Sequence, residues 1–385
     1  MLSEAMEGYI KEHEKEALEL LLTLARIPSP SNHEEKRAQF CRQWLEEQGA
    51  VGVYIDEALN VVYPVDVKEG EPVEVYMAHT DVVFPDETEL PLKIENGRIC
   101  CPGVGDDTAC LACLLLVAKY AAEHVGTEEW KQLRGGNAPG LLLVCNSGEE
   151  GLGNLKGVRR ICEVYGNRME TFCTFDGGMG ELVDRAVGSN RYRVTVRTQG
   201  GHSFGNFGRD NAIEKLAGII GKLYQIQVPE GGKTTYNVGT ISGGTSVNTI
   251  AQEAEMLYEF RSDRREHLAW MEEKFMGILK EEQEKGLDVT CEVMGLRPCE
   301  GEIDPEKRRA LLERAAAAVE SVTGVRPETK SGSTDCNIPL SLGIPSVCMG
   351  SYRGAGAHTR EEYVEIDSLA EGYRVAFEMI FGDRN

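Results

Sequence analysis

Apolar and polar positions alternate along the chain in a way that predicts its elements before any composition is considered. Residues 16–27 read as a helix that Pro28 and Pro30 stop. Ser31 and Glu34 have capping-box spacing for a second helix, which carries Phe40, Cys41, Trp44 and Leu45 on one stripe and ends at Gly49. Apolar runs then alternate with helical stretches: Val73 to Ala78, a helix from Thr108 to about His124, Leu141 to Cys145, and Thr171 to Phe175. Such alternation predicts an α/β fold built on a doubly wound, mixed but mainly parallel sheet.

From about residue 190 the period changes. Arg191 to Thr198 alternates strictly, Asn211 to Gln227 is helical and stops before Pro229, and Tyr236 to Ile241 and Glu253 to Phe260 read as strands. A helix from about Arg265 to Lys285 and a strand from Asp288 to Met294 complete a β-α-β-β-α-β order, the pattern of a compact α+β, ferredoxin-like insertion. Asp304-Pro305 opens a further helix that ends near Gly324, and α/β material closes the chain. The expected organisation is a discontinuous first domain, residues 1–188 and 298–385, interrupted by a second domain, residues 189–297.

Length agrees with that division, because 385 residues exceed what one hydrophobic core usually serves. A formal charge of −22 argues against nucleic acid, since a phosphate-rich partner needs a positive field. No apolar run is long enough for a membrane span, and the polar, acidic stretch from Met1 through Lys15 lacks the order of a secretory signal, so a cytoplasmic location is expected. Most of the twelve cysteines lie in apolar stretches, as Cys145, Cys173 and Cys348 do, and read as reduced core thiols. Cys110 and Cys113 have redox-motif spacing but fall inside a helical run, where two core thiols are the commoner reading.

The chemistry concentrates where apolar runs end. His79-Thr80-Asp81, Gly105-Asp106-Asp107, Gly148-Glu149-Glu150, Asp176-Gly177-Gly178 and Gly356-Ala357-His358-Thr359 each end such a run or closely follow one. In an open parallel sheet the carboxyl ends of the strands converge on one crevice, so groups far apart in sequence can meet there. Asp106, Glu150 and Asp176 gathered in one cleft would repel one another strongly. Two divalent cations sharing one carboxylate, ~3.5–4 Å apart, would neutralise them and polarise a bridging water. Two histidines among oxygen donors favour zinc, with manganese or cobalt admitted. Asp81, two residues after His79, is placed to accept the second ring N–H of that histidine and fix its tautomer. Glu149-Glu150 can divide two roles between neighbours, one ligating metal and the other acting as general base on the bound water.

At these residues the chain resembles the dinuclear zinc exopeptidase family that includes peptidase T, carboxypeptidase G and the aminoacylases, over nearly its whole length and in motif order. The resemblance implies two zinc ions per subunit, one held by His79, Asp106 and Asp176 and the other by Asp106, Glu150 and His358, with Asp106 bridging. It implies Glu149 as general base, Asp81 as the residue orienting His79, and a cis peptide between Asp106 and Asp107. The insertion becomes a lid and homodimerisation domain in which Gly200-Gly201-His202-Ser203 supplies a histidine, His202, that stabilises the oxyanion. Asn248 and Arg261 match substrate-contacting positions, although Arg261 suits a structural ion pair almost as well.

Two departures qualify the transfer. Relatives commonly carry lysine after the acid pair, where this chain has Thr108; and desuccinylase and aminoacylase branches usually carry glutamate where it has Asp176, which tilts the reading toward peptides. The remaining histidines His13, His33, His124 and His267 read as solvated, and Asp335 lines the cleft without an assigned role. The expected activity is hydrolysis of an amide bond in a small peptide, as a di- or tripeptide exopeptidase, with an N-acyl amino acid as the alternative substrate. A non-catalytic metal-binding homologue and a metal-dependent phosphoesterase are the rival classes. The intact ligand and base set speaks against the first, and the missing Arg/Lys cradle against the second.

Overall fold

A computed structural model describes residues 2–135 and 137–382. They form two compact units: one runs up to Arg185 and resumes at Gly301, and the other is Ala186–Glu300.

The first unit is organised by an eight-stranded sheet. Its centre is parallel: Gly140–Asn146 pairs with Val73–His79, which pairs with Met169–Phe175, which pairs with Ser346–Met349. Antiparallel strands flank it, Val61–Val65 on one side and Glu181–Ala186 on the other. Val73–His79 and Gly140–Asn146 are buried at every position, which is why both read as largely apolar runs, with Glu74 the one charged residue inside the first. Each of Leu141, Leu142 and Leu143 contributes ~1.5–3 kcal/mol by leaving water. Cys110–His124, apolar nearly all round, lies within the same core as Glu4–Ala25 and Ser368–Phe381. Cys110 and Cys113 are both buried core thiols on that helix.

The second unit is an antiparallel four-stranded sheet in the order Thr234–Gly243, Glu253–Ser262, Gly188–Arg197, Asp288–Arg297. The helices Ala212–Leu223 and Arg265–Glu284 pack their apolar stripes on one face, closing a core around Tyr192, Tyr258, Phe260 and Phe275. On the other face Arg193 pairs with Glu292 at 2.8 Å and Arg197 with Glu253 at 2.8 Å. No helix among the described residues is long and apolar enough to cross a membrane.

Three local expectations are corrected. The first helix is longer than residues 16–27, running Glu4–Ala25 with Ser3 accepting from the Met6 amide. The Ser31/Glu34 pair does not cap the second helix, which begins at Glu35 without a side-chain cap, because both residues are engaged elsewhere. Ser31 donates to Asp81 Oδ2 at 2.7 Å, and Glu34 accepts from the Asn32 amide and from Lys156. His13 and His124 are not simply solvated either: His13 stacks on Tyr9 and His124 on Tyr120, each ring Nδ1 2.8 Å from the carbonyl four residues back.

Candidate metal centre

Parallel pairing places His79 directly beside Asn146, so the turn His79-Thr80-Asp81 and the turn Ser147-Gly148-Glu149-Glu150 leave the sheet at the same level. The Thr80 amide and hydroxyl both donate to the Asn146 carbonyl, at 2.7 and 2.8 Å, and tie the two exits together. Asp176 follows the next strand end, with its amide donating to the Met349 carbonyl at 2.9 Å. Asp106 sits in an irregular turn, Val104–Ala109, that precedes the helix starting at Cys110, and the Asp106–Asp107 peptide is cis. Glu362 holds this turn by accepting the amides of Gly103, Gly105 and Asp106 at 2.6, 2.9 and 2.8 Å. A side chain at Gly105 would meet the Tyr352 ring at 2.7 Å, so the turn depends on glycine there. His358 arrives on a loop in which it adopts the left-handed conformation, φ 65°, a costly choice for a non-glycine residue and one that clusters at functional sites.

The five residues expected as ligands fall into overlapping clusters, in which Asp107 rather than Asp106 groups with His79 and Asp176. Asp106 turns Oδ1 to His79 Nε2 at 3.1 Å and Oδ2 to His358 Nε2 at 3.1 Å, so its two oxygens face two different imidazoles. Glu150 Oε1 lies 3.0 Å from His358 Nε2. Donor atoms of Asp106, Glu150 and His358 fall within 4.8 Å of one another, as do those of His79, Glu149 and Glu150, and those of His79, Asp107 and Asp176. The last grouping brings in Asp107, a residue to which the sequence reading gave no role. Its Oδ2 accepts the His79 amide at 2.9 Å.

Asp81 does more than orient a histidine. His79 Nδ1 lies 3.0 Å from the Asp81 backbone carbonyl and 3.5 Å from its carboxylate, so the peptide oxygen is the nearer partner. The carboxylate is engaged by the Glu149 amide at 3.1 Å, the Glu150 amide at 3.0 Å and the Ser31 hydroxyl. Burial works against its ionisation, yet His79, Ser31 and the Glu150 amide outweigh that and hold it below the ordinary carboxylate range.

Electrostatics at the centre show a site short of positive charge. Burial and the neighbouring Asp106 charge push the Asp176 carboxyl well up, and burial, only partly opposed by His358, raises Glu150 as well. Hydrogen bonds to Asp106 and Glu150 push His358 up to about 11, and His79 is raised against its own burial by Asp107 and Asp106. With Nδ1 facing the Asp81 carbonyl, His79 turns Nε2 to the Asp106 carboxylate at 3.1 Å, and a divalent cation between them would take the place of the proton that Asp106 draws onto the ring. The donor set therefore fits a pair of divalent metals.

Around the donors lies support that the sequence did not reveal. Asn146 donates to Asp335 Oδ2 at 2.6 Å with both residues fully buried, and burial together with the Glu149 charge pushes the Asp335 carboxyl up to about 8. Arg37 is buried behind the His79 and Asp106 turns, donating at 2.8 Å to the Thr80 carbonyl and at 3.3 Å to the hydroxyl of Thr108, the residue that stands after the acid pair.

In the second unit, His202 is exposed on a turn whose strand pairs with Thr249–Ile250. Its Nδ1 accepts the amides of Phe204 and Gly205, each at 3.2 Å, which leaves Nε2 to carry the ring proton. The Asn248 carbonyl accepts the Ser203 amide at 3.0 Å, so Asn248 stands next to this turn. Arg261 is engaged by Glu259 through two 3.1 Å bonds, the structural ion pair rather than a free guanidinium.

A family described as peptidase dimerisation domain, M20_dimer, matches residues 186–287. The uncharacterised protein YqjE of Bacillus subtilis is 24% identical over 381 residues, covering 93% of this chain and 96% of its own. Succinyl-diaminopimelate desuccinylase of Nitrosospira multiformis is 26% identical over 326 residues, covering 79% and 81%. Among solved structures, a tripeptidase from Staphylococcus aureus shares the fold with a TM-score of 0.74 at 23% identity, covering 95% of this chain and 97% of that one.

Proposed function

From the match of residues 186–287 to a peptidase dimerisation domain and the gathering of the acidic and histidine groups, we infer that this chain is a metallopeptidase of the M20 kind, a di- or tripeptide exopeptidase with Glu149 as its general base. At the coarser level it is a metal-dependent hydrolase of peptide or amide bonds. The observation that carries the finer reading is the junction of Glu149 with the ligand groups: its carboxylate shares a 4.8 Å cluster with His79 and Glu150, while Asp106 joins the two imidazoles from either side.

His79, Asp106, Glu150, Asp176 and His358 would hold the metals, zinc by the mixture of imidazole and carboxylate donors, with manganese or cobalt as substitutes. When bound, such a pair lowers the pKa of a shared water and polarises the scissile carbonyl. Glu149 takes the proton of the attacking water and returns it to the departing amine nitrogen. Asp81 keeps that base in place through the Glu149 and Glu150 amides. His202 is assigned the part of hydrogen-bond donor to the oxyanion through Nε2–H, a role that its Nδ1 contacts support by fixing the tautomer. The domain matched as peptidase dimerisation supports a homodimer, and twelve free thiols suit the reducing cytoplasm.

Hydrolysis of an N-acyl amino acid is the second reading, favoured by the desuccinylase named above. Asp176, in place of the glutamate usual in that branch, supports peptides instead. The deciding experiment incubates metal-loaded protein with di- and tripeptides, N-acyl amino acids and aryl phosphates. Turnover confined to peptides is expected; turnover of N-acyl amino acids alone overturns the peptide reading, and phosphatase activity overturns both.

A further inference from the structure

Arg37 is the buried cation nearest in kind to what the metal centre lacks. Its guanidinium is 2% exposed, and among the described residues no carboxylate forms an ion pair with it. Four of its contacts go instead to the carbonyls of Leu24, Ile27 and Thr80 and to the Thr108 hydroxyl, and Nε has no partner. A buried charge with only neutral partners is costly unless a wider field of opposite sign repays it. That field is at hand, although burial still outweighs it and lowers the guanidinium to about 10: Thr80 lies between His79 and Asp81, Thr108 directly follows Asp106 and Asp107, and the Asp81 and Asp107 charges oppose the effect of burial.

We propose that Arg37 is a built-in counter-cation of the metal centre, which holds the acidic turns together before the divalent ions arrive and becomes redundant once they are bound. The proposal rests on the metal reading above. Without metal, the single positive charge offsets part of the repulsion among the carboxylates. Once two dications fill the centre, the same charge repels them, so Arg37 and the metals oppose each other. Coupling of this kind is reciprocal, and neutralising Arg37 must then tighten metal binding while destabilising the stripped protein. A residue that served only to tether the Leu24, Ile27 and Thr80 carbonyls would act with the other sign, since loosening those turns weakens the cage.

The test compares wild type with Arg37→Gln, which keeps amide donors but loses the charge, and Arg37→Lys, which keeps the charge. Each is stripped with a chelator, melted with and without zinc, and titrated with zinc against a competing chelator at pH 8. Arg37→Gln is expected to melt below wild type when stripped, to gain more on adding zinc, and to bind zinc roughly ten-fold more tightly. Arg37→Lys is expected to track wild type in all three. Zinc binding by Arg37→Gln that is unchanged or weaker overturns the proposal, as does an Arg37→Lys protein that behaves like Arg37→Gln. Should Arg37→Gln fold only when zinc is supplied, the proposal stands; failure to fold in both conditions overturns it. If wild type itself gains nothing from zinc, the metal reading falls and carries this proposal with it.

Discussion

The carboxylate of Asp81 accepts the backbone amide of Glu149 at 3.1 Å. With the Glu150 amide bound by the other oxygen, one carboxylate fixes the backbone of both the proposed base and its proposed ligand neighbour, while the His79 ring is held chiefly by the Asp81 peptide oxygen. This separation makes Asp81→Asn informative, because asparagine retains the carbonyl that orients His79. Its amide nitrogen, however, turns a donor toward a backbone donor and leaves a buried group unpaired, at ~1–3 kcal/mol. Zinc affinity is expected to fall roughly 10–100-fold, with kcat/KM falling alongside. Competition titration and steady-state kinetics check this, and an Asp81→Asn enzyme with unaltered kcat sinks the idea that the carboxylate sets the Glu149 turn.

Glu149→Gln removes the base while preserving the amide that Asp81 holds, so metal content should remain near that of wild type. Turnover is expected to drop ~10²–10⁴-fold, the range general-base catalysis supplies. Elemental analysis of the purified variant and its kcat decide the matter, and near-normal turnover rules the residue out as the base.

The strand ends were legible because Val73–His79 and Gly140–Asn146 are buried on both faces and so appear as largely apolar runs with chemistry at the end. Convergence of those ends follows from parallel pairing, which is why His79, Asp106, Glu150, Asp176 and His358 could be brought together on paper. Their supports could not, since polar residues that face inward look like solvated ones until their partners are known. Ser31 and Glu34 carry the spacing of a cap, but Asp81 and Lys156, from distant segments, take them. Nothing in the pair Glu361-Glu362 says that only the second binds three amides. Arg37 escaped notice in the same way: it lies four residues before Cys41 on the buried stripe of its helix, where a charged residue reads as solvated.

Asp335 predicts a pH dependence of stability in chelator-stripped protein. Its folded carboxyl titrates at about 8, above its ordinary value of 3.8, so the folded state holds a proton that the unfolded state has released. Folding is therefore progressively penalised as pH rises from about 4 to about 8, and the penalty is complete above that. Asp335→Asn lacks the titrating proton, so relative to wild type it should gain stability across the same window, by at least about 1 kcal/mol. Urea midpoints of both proteins at pH 5 and pH 8 measure this, and a constant difference between them removes the carboxyl from the account.

His202→Ala tests the donor in the second unit. The amides of Phe204 and Gly205 both point at Nδ1, so the ring proton is kept on Nε2 as a preset hydrogen-bond donor. A preset donor of this kind contributes to the transition state rather than to the ground state, so its loss should appear in kcat more than in KM. The expected drop is ~10²–10³-fold, as for removal of one oxyanion donor. Metal content should not change, because all five proposed ligands belong to the other unit. His202→Gln separates chemistry from shape: its amide can donate but is not held by the two backbone N–H groups, and partial recovery of kcat is expected. Loss of zinc from His202→Ala would make the histidine a ligand, and an equal rise in KM at constant kcat would make it a binding group only.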